Sequence, residues 1–295
     1  MSNIPSIAII GPGRLGTAIG VLAVRAGLNV TAVGARNQAA AVRAAQAMGG
    51  RPRPLSLHAA AADGRLVLLT VRDDAIEALC RDLASADAFN SGAIVAHCSG
   101  SLAADILRPA RDKCRCAIAS FHPLQTFPTA DAAIQRFAGV YCFCEGDRRA
   151  TDVLVELAKV LGAKPVVLPS AGKALYHAAA VTACNYLTTL MDSAVEMCVH
   201  AGVERETAHA ALGVLLTTTA ANAAAMDPAD ALTGPIARGD VGTVRRHLAA
   251  LADCPADLRQ LYRAAGKRTV SLALRKETID NHTAEALRDI LNSTP

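Results

Sequence analysis

Short apolar runs alternate with longer helical patterns through the first half of the chain. The runs are continuously apolar rather than alternating with polar residues, which indicates strands buried on both faces. The first predicted strands are Ile7–Ile10, Asn29–Val33, Leu66–Val71 and Ala93–Cys98. The helices predicted between them are Gly13–Ala26, Arg36–Met48 and Asp74–Leu83. This βαβαβ order predicts a parallel sheet that is covered by helices.

Three further strands are predicted to extend the sheet, and the pattern then changes. These strands lie near Ala117–Phe121, Val140–Cys144 and Pro165–Leu168. After Pro169 no strong strand pattern remains. The predicted helices of this second part are Ala171–His200, Arg205–Met226, Val241–Ala252, Pro255–Lys276 and Ala284–Asn292. We therefore predict an α/β Rossmann domain with a mostly parallel sheet over residues 1–169, followed by an all-α domain over residues 170–295.

Composition and charge narrow the class of protein. Hydrophobic residues make up 52% of the chain and charged residues 19%, which suits packed cores. The net charge of +4 has no basic run or base-stacking aromatics around it, so we predict no nucleic-acid partner. We see no secretory signal in Met1–Ser6, and no apolar run of about 20 residues that would span a membrane. Nine cysteines without a disulfide framework favour a cytoplasmic protein.

Two Cys-x-Cys pairs raise the question of a zinc site. Cys114 and Cys116 form one pair, and Cys142 and Cys144 form the other. Their one-residue spacer is shorter than the spacer of about two to four residues in zinc sites. Both pairs lie in strand-like runs, where residues i and i+2 share a face. We interpret them as buried core cysteines and predict no metal.

A GxGxxG motif directly follows the first strand and opens the first helix. Gly11 permits the tight turn, Gly13 lets the backbone approach a pyrophosphate, and Gly16 allows the helix to pack on the strand. The first helical turn, with Arg14 and Leu15, offers free N–H groups and a partial positive charge to phosphates. A chance glycine turn is the alternative. The complete strand–turn–helix context favours a dinucleotide site.

The end of the second strand indicates which dinucleotide binds. An NAD site would place Asp or Glu near Gly34, to bond the ribose hydroxyls, whereas here Arg36 follows a glycine. An arginine can hold a 2′-phosphate that a carboxylate would repel. A charge-assisted hydrogen bond of about 1.5–3 kcal/mol gives roughly a ten- to a hundred-fold preference. We predict NADP(H); the alternative is that Arg36 is an ordinary solvated charge.

Two more loops follow predicted strands at the edge where open α/β sheets bind ligands. Val71 ends the third strand, and we assign it to the cofactor site together with Ser99, which follows the fourth. The hydroxyls of Ser99 and Ser101 are candidates for contact with the nicotinamide or the substrate, and we assign Ser101 to catalysis. We interpret Asp74 as a cap of the next helix.

Hydride transfer belongs to the cofactor, so the protein must orient the substrate and handle a proton. His122 ends a predicted strand and titrates near neutral pH; the alternative is a buried histidine that braces its loop. Lys173 and His177 share a face of the long helix, and Asn185 lies about 80° around the axis from His177. These four residues join Ser101 as our catalytic candidates, although Lys173 could equally be a solvated surface charge.

The segment Leu232–Asp240 forms a loop between two predicted helices. It holds two glycines and a proline, which make it rigid. Arg238 is a candidate for gripping a substrate carboxylate, and Thr233 is a second candidate for substrate contact. The alternative is a loop braced by an Arg238–Asp240 pair.

The chain resembles a known family in the order of its motifs, which are GPGRLG, TVRDDAI, HCSGS, SFHPLQTF, KALYHAAAVTACNYLTTL and LTGPIARGD. These motifs are similar to those of the Rossmann-like proteins that carry a helical C-terminal domain of uncharacterised function. That family is related to the β-hydroxyacid dehydrogenases, ketopantoate reductase and pyrroline-carboxylate reductase. The resemblance spans nearly the whole chain. It implies a helical domain of the 6-phosphogluconate-dehydrogenase type, which supplies the catalytic residue and forms a homodimer.

The resemblance also shows where this chain departs from its relatives. In enzymes like ketopantoate reductase, a helix carries Lys, then Asn four residues on, and a further Asn before a Leu-Thr pair. If that last Asn is Asn185, His177 takes the lysine position and Val181 the first asparagine position. There are three alternatives. His177 is the proton donor in place of the lysine, or Lys173, one turn earlier, is the donor, or this proton transfer is lost. His122 with its following proline resembles a substrate-site element of prephenate dehydrogenases.

Together the patterns predict an NADPH-dependent reductase, or the reverse dehydrogenase. Its substrate would be a small and anionic carbonyl, imine or hydroxy compound. His177 would act as general acid, and Arg238 would steer the substrate. The alternative from another class is a non-catalytic NADP-binding protein that senses the cofactor or scaffolds a partner. Oxidation of NADPH with 2-oxo acids or cyclic imines would distinguish the two.

Overall fold

The computed structural model describes residues 4–293, which divide into two compact units. The first unit ends at Val181 and the second begins at Thr182. The division falls inside the helix Lys173–His200, so this helix contributes to both units. The domain boundary at residue 169 lies just before that helix and stays a sequence prediction.

The first unit is built on an eight-stranded sheet. In chain order its strands are β1 Ile7–Ile10, β2 Val30–Gly34, β3 Arg53–Leu55, β4 Leu66–Leu69, β5 Ile94–His97, β6 Ala117–Pro123, β7 Tyr141–Gly146 and β8 Lys164–Val167. Their order across the sheet is β3-β2-β1-β4-β5-β6-β7-β8. Strands β1 to β6 are parallel, β7 is antiparallel to β6, and β8 is parallel to β7. The predicted Rossmann fold with a mostly parallel sheet is confirmed.

The continuous apolar runs are explained by burial on both faces of the sheet. Strand β1 is buried along its whole length. Its residues alternate between two cores: Ile7 and Ile9 belong to one core, and Ala8 and Ile10 belong to the other. Strands β4 and β5 are likewise buried throughout. A strand with two covered faces has no solvent-exposed position, so its sequence shows no alternation of apolar and polar residues.

Seven helices of the first unit cover the sheet, and the sequence patterns identified three of them. They are α1 Arg14–Arg25, α2 Gln38–Ala47, α3 Leu57–Asp63, α4 Asp73–Ser85, α5 Arg108–Cys114, α6 Ala130–Arg136 and α7 Arg148–Val160. The predictions missed β3, α3, α5 and α6, which are too short to show a clear period. They also missed α7, whose buried residues Ala150, Leu154, Leu157 and Ala158 do have helical spacing.

The two Cys-x-Cys pairs have different surroundings. Cys142 and Cys144 are buried on β7, as predicted. For the other pair the prediction of a strand is wrong, because Cys114 ends α5 and Cys116 precedes β6. Between them Arg115 has a φ of 57°, which turns the chain out of the helix. Among residues 4–293, no group of three or more His, Cys, Asp or Glu is placed to hold a metal ion.

The second unit is helical, which confirms the predicted all-α C-terminal region. After α8 Lys173–His200 come α9 Arg205–Ala225, α10 Pro228–Ala231, α11 Val241–Ala250, α12 Ala256–Arg275 and α13 Asn281–Asn292. A core of Val244, Val270, Leu287 and Leu291 joins α11, α12 and α13. Helix α9 differs, because Ala208 is its one buried residue. No helix within the described part of the chain has the length and apolar character needed to cross a membrane.

Candidate functional site

The glycine motif forms an open cradle between β1 and α1. Gly11 has a φ of +81°, and a Cβ there would lie 2.3 Å from Cγ1 of Val71. A Cβ on Gly16 would lie 2.1 Å from Oγ1 of Thr70, so glycine is needed for α1 to pack at the end of β4. Gly13 is different, because nothing lies within 4 Å of its Cβ position. The space beside Gly13 is therefore free for a ligand.

The N-terminus of α1 completes this cradle. The helix begins at Arg14 after Gly13, and no side chain caps its first N–H groups. Its first turn contains no acidic residue, and Arg14 is exposed. Uncapped N–H groups and the helix dipole both favour an anion at this point. The geometry suits a phosphate group.

The end of β2 has a steric reason for its glycine. A Cβ on Gly34 would lie 2.8 Å from Cβ of Ala60 in helix α3. An Asp or Glu at this position would therefore push α3 away. Arg36, two residues later, is exposed just before α2. The structure thus leaves a positive charge where an NAD site would have an acidic residue.

Asp73, to which the sequence analysis assigned no role, joins the two serines that follow β5. Its Oδ2 accepts hydrogen bonds from Oγ of Ser99 at 2.6 Å and from Oγ of Ser101 at 3.1 Å. The prediction that Asp74 caps the helix is wrong, because Arg72 is the N-cap residue of α4. Asp74 lies in the first turn and pairs with the Arg72 guanidinium. The two adjacent acids in the first turn of α4 were the available signal.

The imidazole pair, His122 and His177, meets at Gly100. The ring centroids of the two histidines lie 6.1 Å apart, at an interplanar angle of 71°. A Cβ on Gly100 would lie 2.5 Å from Cδ2 of His177 and 2.8 Å from Nε2 of His122. Glycine at position 100 therefore lets both rings approach the backbone. The sequence predicted both histidines as site residues, but it gave no signal for their meeting at Gly100.

Lys173 is 2% exposed, so its interpretation as a solvated charge is wrong. Its Nζ donates to Oγ of Ser120 at 2.9 Å, and this hydroxyl donates to Oε2 of Glu145 at 3.3 Å. Glu145 also accepts from the Ala104 N–H at 2.8 Å and, through Oε1, from Oγ of Ser170 at 2.6 Å. A single hydroxyl thus links the buried ammonium to a buried carboxylate, as buried charges require. Burial lowers the pKa of Lys173.

Two histidines near this ammonium are neutral at pH 7. Burial, and then the charge of Lys173, lower the pKa of His122 from 6.5 to about 4. Burial also lowers the pKa of His97, at the end of β5, to about 4. Nδ1 of His97 accepts from the Ser99 N–H at 3.2 Å, so its proton is on Nε2, 3.2 Å from the Ala103 carbonyl.

Acid should destabilise the protein through these two histidines. Both titrate near 6.5 when unfolded but near 4 when folded, so between these pH values the unfolded chain binds more protons. The free energy of unfolding therefore falls as the pH falls, by up to about 1.4 kcal/mol per pH unit for each histidine. Urea unfolding measured between pH 4 and 7 gives this slope. His97→Asn should make it shallower, and an equal slope in the variant would contradict the assignment.

Three predicted site residues belong to the second unit. Asn185 is exposed on α8. Thr233 lines a groove of about 360 Å³ with mostly apolar walls. Arg238 is exposed and borders a separate cavity of about 650 Å³ that also touches Glu277. Asp240 caps α11 by accepting from the N–H of Thr243 at 2.8 Å, rather than serving as the brace for Arg238 that we considered from the sequence.

Two family models match the chain. A model described as a Rossmann-like domain matches residues 3–123. A model described as a domain of unknown function (DUF2520) matches residues 140–269. No curated protein matches the sequence.

Solved structures share the fold over nearly the whole chain. A protein of Thermotoga maritima has a TM-score of 0.71 at 23% identity, over 92% of this chain and 100% of its own. A Bacteroides fragilis protein, provisionally named an NADP oxidoreductase, has a TM-score of 0.68 at 24% identity, over 92% and 99%. A reductive aminase from Aspergillus terreus, solved with NADPH and ethyl-5-oxohexanoate, has a TM-score of 0.58 at 16% identity, over 98% and 93%. The chain therefore carries a segment that matches a Rossmann-like domain, followed by a segment that matches the domain of unknown function DUF2520.

Proposed function

We propose that the protein is an NADP(H)-dependent oxidoreductase acting on a small carbonyl, imine or hydroxy compound. The observation that carries this proposal is the glycine cradle, in which Gly11 and Gly16 admit no side chain while Gly13 faces open space. The names of two proteins of the same fold support this proposal. One is provisionally named an NADP oxidoreductase, and the other is a reductive aminase in complex with NADPH.

The residues around the cradle fit the parts of the dinucleotide. The pyrophosphate would lie on the N-terminus of α1 beside Gly13, and Arg36 would hold the 2′-phosphate. Val71 and Ser99 follow β4 and β5, at the strand ends where nicotinamide binds in such sheets. When bound, the cofactor supplies or accepts the hydride.

The imidazole pair and its neighbours would handle the substrate and the proton. His177 is half-buried beside Gly100, and we assign it as the proton donor. His122 is neutral at pH 7, so it orients the substrate through hydrogen bonds. The ammonium of Lys173 lowers the pKa of His122, so its charge acts on this pair, and a positive charge there favours an anionic substrate. Ser101, whose hydroxyl donates a hydrogen bond to Asp73, lies in the same first unit. The roles of Asn185, Thr233 and Arg238 stay sequence predictions.

Calorimetric titration of NADPH and NADH into the purified protein tests the cofactor site. We expect NADPH to bind roughly ten- to a hundred-fold more tightly, because the Arg36 guanidinium forms charge-assisted hydrogen bonds with the 2′-phosphate. Arg36→Ala should lose this preference and keep its affinity for NADH. Arg43→Ala, which removes an exposed arginine within α2, is the control. Failure of the wild-type protein to bind either nucleotide would overturn the proposed function.

A turnover assay separates the enzyme from its alternative. Oxidation of NADPH is followed with a panel of 2-oxo acids and cyclic imines. Turnover that needs one of these compounds supports the reductase. Tight NADPH binding without turnover on any of them favours a non-catalytic protein that senses the cofactor.

We also propose that helix α9 forms the interface of a homodimer. The helix is 21 residues long, and its side chains from Ala210 to Ala225 carry no charge. Val214 is 72% exposed and Leu215 is 62% exposed. An exposed apolar helix of this length indicates a partner surface, and a second copy of the chain can cover it symmetrically.

Replacing Leu215 with glutamate should convert the dimer to a monomer. The carboxylate would be buried without a partner in the interface, which costs more than the lost apolar contact. Light scattering coupled to gel filtration measures the mass. Val167→Glu, on β8, is a matched control because Val167 is also 62% exposed but lies in the first unit. A wild-type protein with the mass of one chain would rule out the dimer.

A further inference from the structure

Tyr176 holds a fixed position beside His122. Its hydroxyl oxygen lies 2.8 Å from Nδ1 of His122, and the two rings meet edge-on with centroids 5.8 Å apart. Tyr176 also packs on Phe143, with ring centroids 4.1 Å apart. Phe143 pairs directly with His122 across the β6–β7 ladder. The β6–β7 ladder therefore places His122 beside Phe143, the ring on which Tyr176 packs.

The proton between Tyr176 and His122 decides what His122 offers a ligand. A neutral imidazole carries one N–H, on either Nδ1 or Nε2. If the phenol donates to Nδ1, the imidazole proton is on Nε2. If Nδ1 instead donates to the phenol oxygen, Nε2 is an acceptor. Nε2 is the atom that would lie 2.8 Å from a Cβ on Gly100, on the side of the ring that meets His177.

Two observations favour donation by the phenol. Burial raises the pKa of Tyr176, so its hydroxyl keeps its proton at neutral pH. Within residues 4–293, the hydrogen-bond partner of this hydroxyl is Nδ1 of His122. Donation from Nδ1 would leave the phenol proton of a half-buried residue without a protein acceptor, and such a loss is costly.

We propose that Tyr176 is a positioning residue whose hydroxyl donates to Nδ1 of His122 and fixes the imidazole proton on Nε2. This inference rests on the proposed function for its consequence. An Nε2–H group recognises a hydrogen-bond acceptor, so it selects a substrate that presents a carbonyl or carboxylate oxygen to His122. The N–H of a protonated imine cannot bind there, because two donors would face each other.

Nitrogen-15 NMR of the histidines in the 295-residue chain tests the proposal directly. The spectra separate the Nδ1–H from the Nε2–H form and follow the pKa of each of the eight histidines. In the wild-type protein His122 should carry its proton on Nε2. Tyr176→Phe removes only the hydroxyl, so the preference for Nε2–H should fall by about ten-fold, the value of one hydrogen bond. The pKa of His122 should rise, because the lost donor stabilised the neutral ring.

The chain contains a second tyrosine–histidine pair that serves as a matched control. The hydroxyl of Tyr262 lies 2.8 Å from Nδ1 of His247, with ring centroids 6.0 Å apart and edge-on. Tyr262→Phe should change the spectrum of His247 and leave that of His122 as it is. Finding the wild-type proton on Nδ1 of His122 would overturn the proposal. So would a Tyr176→Phe spectrum in which His122 is unchanged.

The NMR measurement needs neither cofactor nor turnover. A negative NMR result would therefore overturn the role of Tyr176 without affecting the proposed function. The substrate class has its own test in the turnover assay. Tyr176→Phe should raise KM for 2-oxo acids about ten-fold, and should raise KM much less for 1-pyrroline, which has no oxygen. Equal changes in KM for the two compounds would overturn the selection of an oxygen acceptor.

Discussion

Replacing His177 with glutamine should lower turnover by about 10²–10⁴-fold, the usual contribution of a general acid. Glutamine keeps a polar side chain beside Gly100 but has no proton to give at neutral pH. The cofactor cradle lies on other elements, between β1 and α1, so NADPH affinity should stay unchanged. The measurement is the initial rate of NADPH oxidation, combined with calorimetry on the same variant.

Lys173 is the rival donor, one helical turn earlier, and the same assay separates the two. If Lys173 gives the proton, Lys173→Met should lose the larger factor and His177→Gln should lose little. His200→Gln is a matched control, because His200 is exposed at the end of the same helix and its Nδ1 lies 2.9 Å from the Glu196 carbonyl oxygen. Full activity in His177→Gln would remove His177 from the mechanism.

Replacing Gly13 with aspartate should weaken NADPH binding by at least about 100-fold, which corresponds to about 2.7 kcal/mol. The backbone at Gly13 has a φ of −76°, and its Cβ position is open, so the variant should fold normally. Its carboxylate would lie where the pyrophosphate must approach, and like charges at close range repel strongly. Calorimetry measures the affinity, and thermal unfolding checks the fold.

Gly13→Ala separates the charge from the bulk of the new side chain. A methyl group only crowds the pyrophosphate, so we expect a smaller loss of affinity than with aspartate. Both variants should unfold at the wild-type temperature, since nothing lies within 4 Å of the Cβ position. An aspartate variant that binds NADPH as tightly as the wild-type protein would place the pyrophosphate elsewhere.

Local sequence determined the cradle and the class of each half. The strand, the turn glycines and the helix of the cradle are consecutive, and each depends on local preferences such as the positive φ of Gly11. The long helices of the second half show their period over many residues, so their existence was predictable. The short elements β3, α3, α5 and α6 offer too few residues for a period, and contacts with neighbouring elements decide them.

Only the tertiary structure decided how the candidate side chains meet. Tyr176 reaches His122 from 54 positions along the chain, and Lys173 reaches Ser120 from 53. These contacts depend on the order of the strands and on the antiparallel turn of β7, which brings Glu145 beside Ser120. A periodic pattern records which face of an element is buried, but not which distant residue covers it. The sequence alone therefore determined the cofactor cradle, whereas the burial of Lys173 and the pairing of Tyr176 with His122 were decided by the three-dimensional packing.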